Sequence, residues 1–329
     1  MEAPVLKIIV GIALAGGLVW TDAAGAQEWP TRPITMVVPF AAGGTSDVVG
    51  RIMAQHVGEI LGQKIVVENI GASGGMAGSL RVAQAQPDGY HLLFGALGPQ
   101  VLNQTLYKKP GYNTVTDFVP VSLIVEVPLV LITRKDLPAN NLQEFIAYTR
   151  ANQDKMTFAS AGIGSAPHMG CVLLNTAMGT SVTAVPYRGS GPAMQDLIAG
   201  RTDFFCDALP TAIPQIQNNA VKAIALLTRD RAAVLPDLPT AQEQGLTNFE
   251  VYTWFALFFP GGTSSAIVHR LHQATVAATK IPSVRERLEG LGATFVAPER
   301  TTPDYLGKFV RSEIEKWAAP IKASGASVD

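Results

Sequence analysis

Charge is scarce in this chain. Only 16% of its 329 residues are charged, the formal net charge is −1, and no basic or acidic block stands out. Without a cationic face, nucleic-acid binding has no electrostatic basis. Histidine is thin as well: His56, His91, His168, His269 and His272 are dispersed along the chain. His269 and His272 share an i, i+3 spacing, but no nearby cysteine or carboxylate completes a metal site. They read as solvated residues on a helix face, so no metal is expected. There is no G-K-[ST] phosphate loop. The stretch Gly162–Pro167, G-x-G-x-x-P, lacks the third glycine of a dinucleotide fingerprint, which removes NAD binding, and no cofactor is expected. Beyond the N-terminus, no stretch is long and apolar enough to span a membrane.

What is present is an ample core. Hydrophobic residues make up 47% of the chain, enough for one large or two medium domains. The 31 glycines and 22 prolines fit an α/β chain with many short loops. Residues 1–26 have the form of a secretory signal. Lys7 supplies a positive start, Ile8–Trp20 an apolar segment shorter than the ~20 residues of a spanning helix, and Ala24-Gly25-Ala26 an A-x-A-type cleavage site. The mature chain is expected to begin near Gln27, in a bacterial periplasm. Export permits a disulfide. Cys171 falls on an expected helix and Cys206 in an expected strand, and two buried free thiols is the preferred expectation.

Ile34–Asp47, ITMVVPFAAGGTSD, sets the pattern of the chain. The apolar run Ile34–Val38 reads as a strand buried on both faces, and Pro39 ends it. Gly43-Gly44 let the backbone approach a ligand closely. Thr45, Ser46 or Asp47 can cap the next helix, whose free N–H groups and partial positive charge suit an anion such as a carboxylate. Strands and helices then alternate. Asp47–Leu61 is an expected helix, Lys64–Asn69 and His91–Ala96 strands, and Val101–Tyr107 a short helix. Phe118–Val125 and Leu129–Thr133 are two apolar runs split by Glu126-Val127-Pro128. Thr157–Ala161, a glycine turn and a helix from His168 to Met178 repeat the opening plan. Further expected elements are a helix at Pro192–Ala199, a strand at Asp203–Asp207, a short helix at Pro214–Asn218, and strands at Val221–Leu227 and Tyr252–Phe259. The last helix, with Leu306, Val310, Ile314, Trp317 and Ile321 at helical spacing, reads as a core face.

Two similar α/β blocks result. The expected division is lobe 1 at 27–125 plus 250–329 and lobe 2 at 128–247, with crossings near 125–128 and 248–253. Such a chain makes two lobes around a cleft that closes by hinge motion. The two glycine turns would face each other across it at the carboxyl ends of strands.

The second glycine turn, Ala161–His168, brings Gly164, the Ser165 hydroxyl and His168 to a helix start. His168 is either a ligand contact or a packed histidine. Arg188 could pair with a carboxylate, but a structural or surface role is favoured slightly. Asp207, at a strand end, would bind an amine or hydroxyl or cap the turn at Thr211. Gly71–Gly75 matches G-x-S-x-G between a strand and a helix, which raises a serine esterase using Ser73. The triad order needs an acid and then a histidine, and the late histidines lie within a helix, so catalysis is not expected.

Taken in order, W-P-T-R-P-I (29–34), P-F-A-A-G-G-T-S-D (39–47), V-E-N-I-G-A-S-G-G-M-A-G (67–78), P-D-G-Y (87–90), A-G-I-G-S-A-P-H (161–168), P-Y-R-G-S-G-P-A (186–193) and L-P-D-L-P-T (235–240) resemble the Bug family. These are the TctC-like periplasmic substrate-binding components of tripartite tricarboxylate transporters, and the resemblance covers essentially the whole mature chain. It implies a two-lobed periplasmic-binding fold of type II-like form, two Rossmann-like lobes with the ligand between them. It implies a small carboxylate ligand, membrane permease subunits as partners, and a monomer. Carried over, it points to Phe40, Gly43, Gly44, Thr45 and Asp47 in lobe 1. In lobe 2 it points to Gly164, Ser165, His168, Tyr187 and Asp207. Leu97-Gly98-Pro99-Gln100 departs from the hydroxyl-rich turn common in the family, and Cys171 and Cys206 are not family hallmarks. Few charges near the expected cleft favour a monocarboxylate or aromatic carboxylate over a tricarboxylate. A liganded protein of this kind could alternatively present its carboxylate to a sensor kinase.

Overall fold

The structure, a computed structural model, describes residue 1 and residues 29–329. The expected signal segment, its cleavage site and Gln27 lie outside the described residues. Strand β1 (Ile34–Val38) leads into helix α1 (Thr45–Leu61), β2 (Ile65–Asn69), α2 (Met76–Ala83), β3 (His91–Ala96), α3 (Asn103–Leu106) and the long strand β4 (Phe118–Arg134). The middle of the chain forms α4 (Leu142–Asn152), β5 (Thr157–Ser160), α5 (Ala166–Met178), β6 (Thr183–Pro186), α6 (Ser190–Ile198), β7 (Phe204–Ala208), α7 (Leu209–Gln217) and β8 (Val221–Leu226). The end forms β9 (Tyr252–Pro260), α8 (Ser265–Ala278), α9 (Pro282–Gly290), β10 (Thr294–Phe295) and α10 (Pro303–Ala323).

The strands run in the order β2-β1-β3-β9-β4-β7-β5-β6, with β8 and β10 also paired to β4. β1 pairs parallel with β2 and β3, and β9 lies antiparallel between β3 and β4. β4 changes partners midway. Phe118–Pro128 pairs with β9, and Leu129–Thr133 pairs with β7. One strand therefore belongs to both halves of the molecule, and the late strand β9 returns to the half built on β1–β3. That is the two-lobed α/β architecture expected from the sequence.

Two expectations need correction. The apolar runs on either side of Glu126-Val127-Pro128 are one strand of 17 residues. Proline and a charge argue against a strand interior, but both are accommodated. Pro128 lies where β4 leaves β9 for β7, and the Glu126 carboxylate accepts hydrogen bonds from Arg300, with Nη2 at 2.5 Å. The cysteines are not free: Cys171 on α5 and Cys206 on β7 form a disulfide with Cα atoms 5.5 Å apart. The intervening strands and turns bring them together, which spacing along the chain does not reveal.

Burial follows the sequence pattern. Ile34, Met36, Val37 and Val38 are all at most 1% exposed, as a strand covered on both faces should be. On α10, Leu306, Val310, Trp317 and Ile321 are buried and Ile314 is partly buried against the same core. Glu313 joins that face because its carboxylate accepts from the Tyr252 hydroxyl (2.9 Å) and the Trp254 and Trp317 indoles (3.4 and 3.3 Å). A buried charge is tolerated when hydrogen bonds replace its water. Helix α7 begins at Leu209 rather than at Pro214, because Pro210 sits in its first turn, where no amide is needed.

Candidate functional site

Four helices start at one place. Helices α1, α6 and α7 begin after Gly44, Gly189 and Ala208, and none of these positions supplies a side-chain cap. Helix α5 begins after Ser165, whose hydroxyl accepts from the His168 amide at 3.2 Å. Residues at the starts of all four, Gly44 to Ser46, Ala166 and Pro167, Ser190, and Ala208 at the cap of α7, line one cavity. Phe40, Ala96, Gly98, Ala161, Thr253 and Phe255 complete its wall. The free volume is about 30 Å³, enough for a water molecule. No ionisable side chain is among the lining residues. An anion here would meet unpaired amides, hydroxyls and helix-start dipoles.

The cavity is small because the two halves touch. The Ala41 amide donates to the Arg188 carbonyl at 2.9 Å, and the Thr45 and Thr211 hydroxyls are 2.5 Å apart. The Tyr107 hydroxyl donates to the Ile163 carbonyl at 3.2 Å. Glycine permits the approach. A methyl on Gly98 would lie 2.7 Å from the Gly164 oxygen, and one on Gly191 would lie 2.8 Å from the Ala42 oxygen.

Of the residues the resemblance points to, Phe40, Gly44 and Thr45 line this cavity. Other expected residues stand behind it. The Gly43 amide donates to Asp47 Oδ2 at 3.0 Å. Asp47 also accepts from Arg51 Nε (2.8 Å) and Asn69 Nδ2 (3.0 Å). It therefore fixes the turn rather than capping α1 with its side chain. Burial raises the Asp47 pKa, but the bonds from Arg51, Gly43 and Asn69 outweigh it and hold the carboxyl below its ordinary value. Gly164 packs on Asn103 and Gly98, and Ser165 is fully buried as the cap of α5. Arg188 is exposed.

His168 and Tyr187 are placed elsewhere. The His168 ring accepts from the Gly164 amide at 3.4 Å and lines a different groove, formed with Asn175, Val182 and the segment Ser324–Asp329. Burial lowers its pKa to about 4, so it is neutral at pH 7. The Tyr187 hydroxyl donates to Asp196 at 2.7 Å, and burial, then Asp196, push its pKa up to about 12. Asp207 lies one residue behind the cavity wall, fully buried, and its Oδ1 accepts from the Ser190 hydroxyl at 2.6 Å.

Ser73 is exposed, at φ 48°, and makes no hydrogen bond to a histidine or carboxylate among the described residues. A larger groove of about 790 Å³ lies between Glu126–Pro128, Thr228–Val234 and α9. Its charges are partly spent on each other, as in Arg285–Glu289, and no helix starts converge on it. Among the described residues there is no group of three metal-ligating side chains, and no helix is long and apolar enough to cross a membrane.

The residues missed from the sequence come from junctions and strands that carry no site motif of their own. Ala208 joins β7 directly to α7 with no loop, and Thr253 and Phe255 come from the returning strand β9. Reading every strand-to-helix junction, glycine-rich or not, would have found Ala208, and Ser190 lies in the glycine-rich junction Gly189-Ser190-Gly191. Gly98, in the turn that departs from the family pattern, supplies backbone instead of a hydroxyl.

The model of the tripartite tricarboxylate transporter family receptor, TctC, matches residues 49–326. The solved structure of the periplasmic binding protein BugD is 40% identical, covering 91% of this chain and 99% of its own, with a TM-score of 0.88. MatC from Rhodopseudomonas palustris, solved with bound malate, is 40% identical over 89% of this chain and 100% of its own, with a TM-score of 0.87. A second R. palustris protein, solved with adipate, is 33% identical over 91% of this chain and 99% of its own, also at 0.87. A family match over most of the chain, joined to the two-lobed fold and the convergent helix starts, places this protein in the TctC (Bug) family of tripartite tricarboxylate transporter receptors.

Proposed function

We propose that this protein binds a small organic carboxylate between its lobes in the periplasm and delivers it to the membrane permease subunits of a tripartite tricarboxylate-type transporter. The observation that carries this reading is the convergence of four helix starts on one cavity without a charged side chain. Such a site attracts a carboxylate through amides and hydroxyls and has nothing to attract a cation. The malate and adipate of the solved relatives have that chemistry. Mono-, di- and aromatic carboxylates are the class to test, because no arginine or lysine waits for each further charge.

The lobes we assign are 27–125 with 250–329, and 128–247, hinged near 125–128 and 248–253. A four-carbon acid exceeds a cavity of about 30 Å³, so entry requires the lobes to part. The protein acts as a monomer after its signal is removed. Phe40, Gly43, Gly44, Thr45, Gly164 and Ser165 form the grip, by backbone or hydroxyl. Asp47 holds the first turn, and His168 and Tyr187 support the second lobe. Binding is the whole activity: Ser73 has no base beside it.

The test is a thermal-shift screen of the chain from Gln27 against malate, adipate and aromatic carboxylates. A ligand that binds only the native state raises Tm by mass action. The shift is expected to vanish in Gly44→Val, because any side chain at Gly44 starts 3.4 Å from the Ser190 and Gly191 amides. A folded, ligand-free preparation that responds to no carboxylate refutes the reading.

A further inference from the structure

Ser190 and Asp207 form a buried pair that the carboxylate grip leaves unexplained. Ser190, the first residue of α6, is on the cavity wall. Behind it Asp207 is fully buried; its Oδ1 is 2.6 Å from Ser190 Oγ, and its Oδ2 has no hydrogen-bond partner. Among the described residues no cation balances it. The ionisable groups on the elements packed around β7 are engaged elsewhere. Asp47 on α1 is bonded to Arg51, and Asp196 on α6 to Tyr187 and Arg201. On β4, Glu126 is bonded to Arg300 and Arg134 to Asp203. His168 on α5 is neutral and faces the other groove. Helix α7 and strand β5 carry no ionisable side chain.

A serine hydroxyl has one proton to give. When Asp207 is ionised, it takes that proton's hydrogen bond, and Ser190 can only accept from the cavity. A carboxylate there meets a lone pair. When Asp207 is protonated, it donates to Ser190 Oγ, and the serine proton is free to point at the ligand. We propose that Asp207 sets the hydrogen-bonding polarity of Ser190, so that carboxylate capture takes up one proton from solvent onto Asp207. This rests on the carboxylate reading above and goes beyond it. Ser190 is the contact and Asp207 the positioning residue. Burial works in the same direction: it pushes the Asp207 carboxyl up to about 7, against the opposing bonds from Ser190 and the Ala208 amide.

The experiment is calorimetric titration of the mature protein with malate and with adipate from pH 6.5 to 8.5, where both acids are ionised. For one linked proton and a midpoint of about 7, Kd is expected to weaken about 25-fold across this range. At pH 7, heats in two buffers of different ionisation enthalpy are expected to report about half a proton taken up per ligand. Asp207→Asn, whose amide donates permanently to Ser190, is expected to bind with a flat pH profile. Ser190→Ala is expected to bind more weakly and also lose the profile. A wild-type Kd independent of pH with no proton uptake overturns the proposal. So does a pH profile that survives in Asp207→Asn, or one that survives in Ser190→Ala, which would exclude a relay through the serine. If either variant fails to fold, the wild-type proton count decides. If neither acid binds, it is the carboxylate reading that fails. A carbon-13 titration of the Asp207 carboxyl in the free protein then still decides its protonation: a midpoint below about 5 overturns the proposal.

Discussion

Gly191→Ala should separate closure from folding. Gly191 is the second residue of α6, at a φ that alanine adopts freely, so the substitution favours the helix and narrows the unfolded chain. Both effects act on stability in the open and closed states alike, at about 0.5–1 kcal/mol. The added methyl matters only when the lobes meet. It would then lie 2.8 Å from the Ala42 carbonyl oxygen and 3.2 Å from the Gly43 carbonyl carbon, both backbone atoms of the other lobe. Relieving such an overlap costs about 1–3 kcal/mol. Charged to the closed state alone, that weakens ligand binding about 5- to 150-fold. Gly98→Ala applies the same test from the opposite side, with its methyl 2.7 Å from the Gly164 oxygen. Gly290→Ala on α9, where a methyl meets nothing within 4 Å, is the control for stability without closure. The assays are denaturant unfolding of the free protein and calorimetric Kd for the best carboxylate. Gly191→Ala and Gly98→Ala are expected to keep or raise stability while losing affinity. Gly290→Ala should raise stability with Kd unchanged. If both clash variants bind within twofold of wild type, the liganded state does not bring these backbones together and the reasoning is refuted.

Three further perturbations test the scaffold. Reducing Cys171–Cys206, or replacing both cysteines by alanine, opens a link across 35 residues and should lower unfolding stability by about 3–4 kcal/mol, read by urea titration with and without reductant. The neutral His168 should make stability fall with acid. Its pKa is depressed to about 4, so the unfolded chain binds the proton first between about pH 6.5 and 4, and stability declines as pH drops through that window. His168→Gln should flatten this part of the stability profile; an unchanged profile places the titration elsewhere. Glu313→Ala should cost about 2–4 kcal/mol, because the Trp254 and Trp317 indoles and the Tyr252 hydroxyl lose their buried acceptor. Carboxylate affinity should not change, and a binding defect in that variant would show that α10 reaches the cleft.

Much of the fold is legible because its signals are local. The run Ile34–Val38 announces a doubly covered strand, and the apolar run His91–Ala96 is a strand with the expected bounds. What was missed depends on distant partners. Pro128 reads as an interruption until β9 and β7 are seen taking over β4 on either side of it. Pro214 reads as the start of a short helix, yet α7 already begins at Leu209, with Pro210 in its first turn and Pro214 inside the helix. The candidate site divides in the same way. Glycine turns point to Phe40, Gly44 and Thr45, which line the cavity. They also draw attention to His168 and Asp47, whose residue types look functional but whose hydrogen bonds are spent on their own turns and, for Asp47, on Asn69 of β2. Residue type identifies chemistry; only the surrounding elements decide which way it faces.

An anion site built without a cation also fits a protein that must let its ligand go. A buried arginine would hold a carboxylate through strong paired bonds and leave an uncompensated charge once the ligand departs. The helix starts here leave only amides and hydroxyls, which water can satisfy. Emptying the cleft therefore strands no cation, and opening breaks contacts such as Ala41–Arg188 and Thr45–Thr211, each worth about 1 kcal/mol net. Adding a cation should reverse this balance. Ala96→Arg would put a guanidinium on the cavity wall. Once the altered packing is controlled with Ala96→Met, the prediction is slower carboxylate release and a less stable ligand-free protein, measured by stopped-flow displacement and urea unfolding. A faster release from Ala96→Arg than from Ala96→Met would show that the ligand's charge does not sit against this wall.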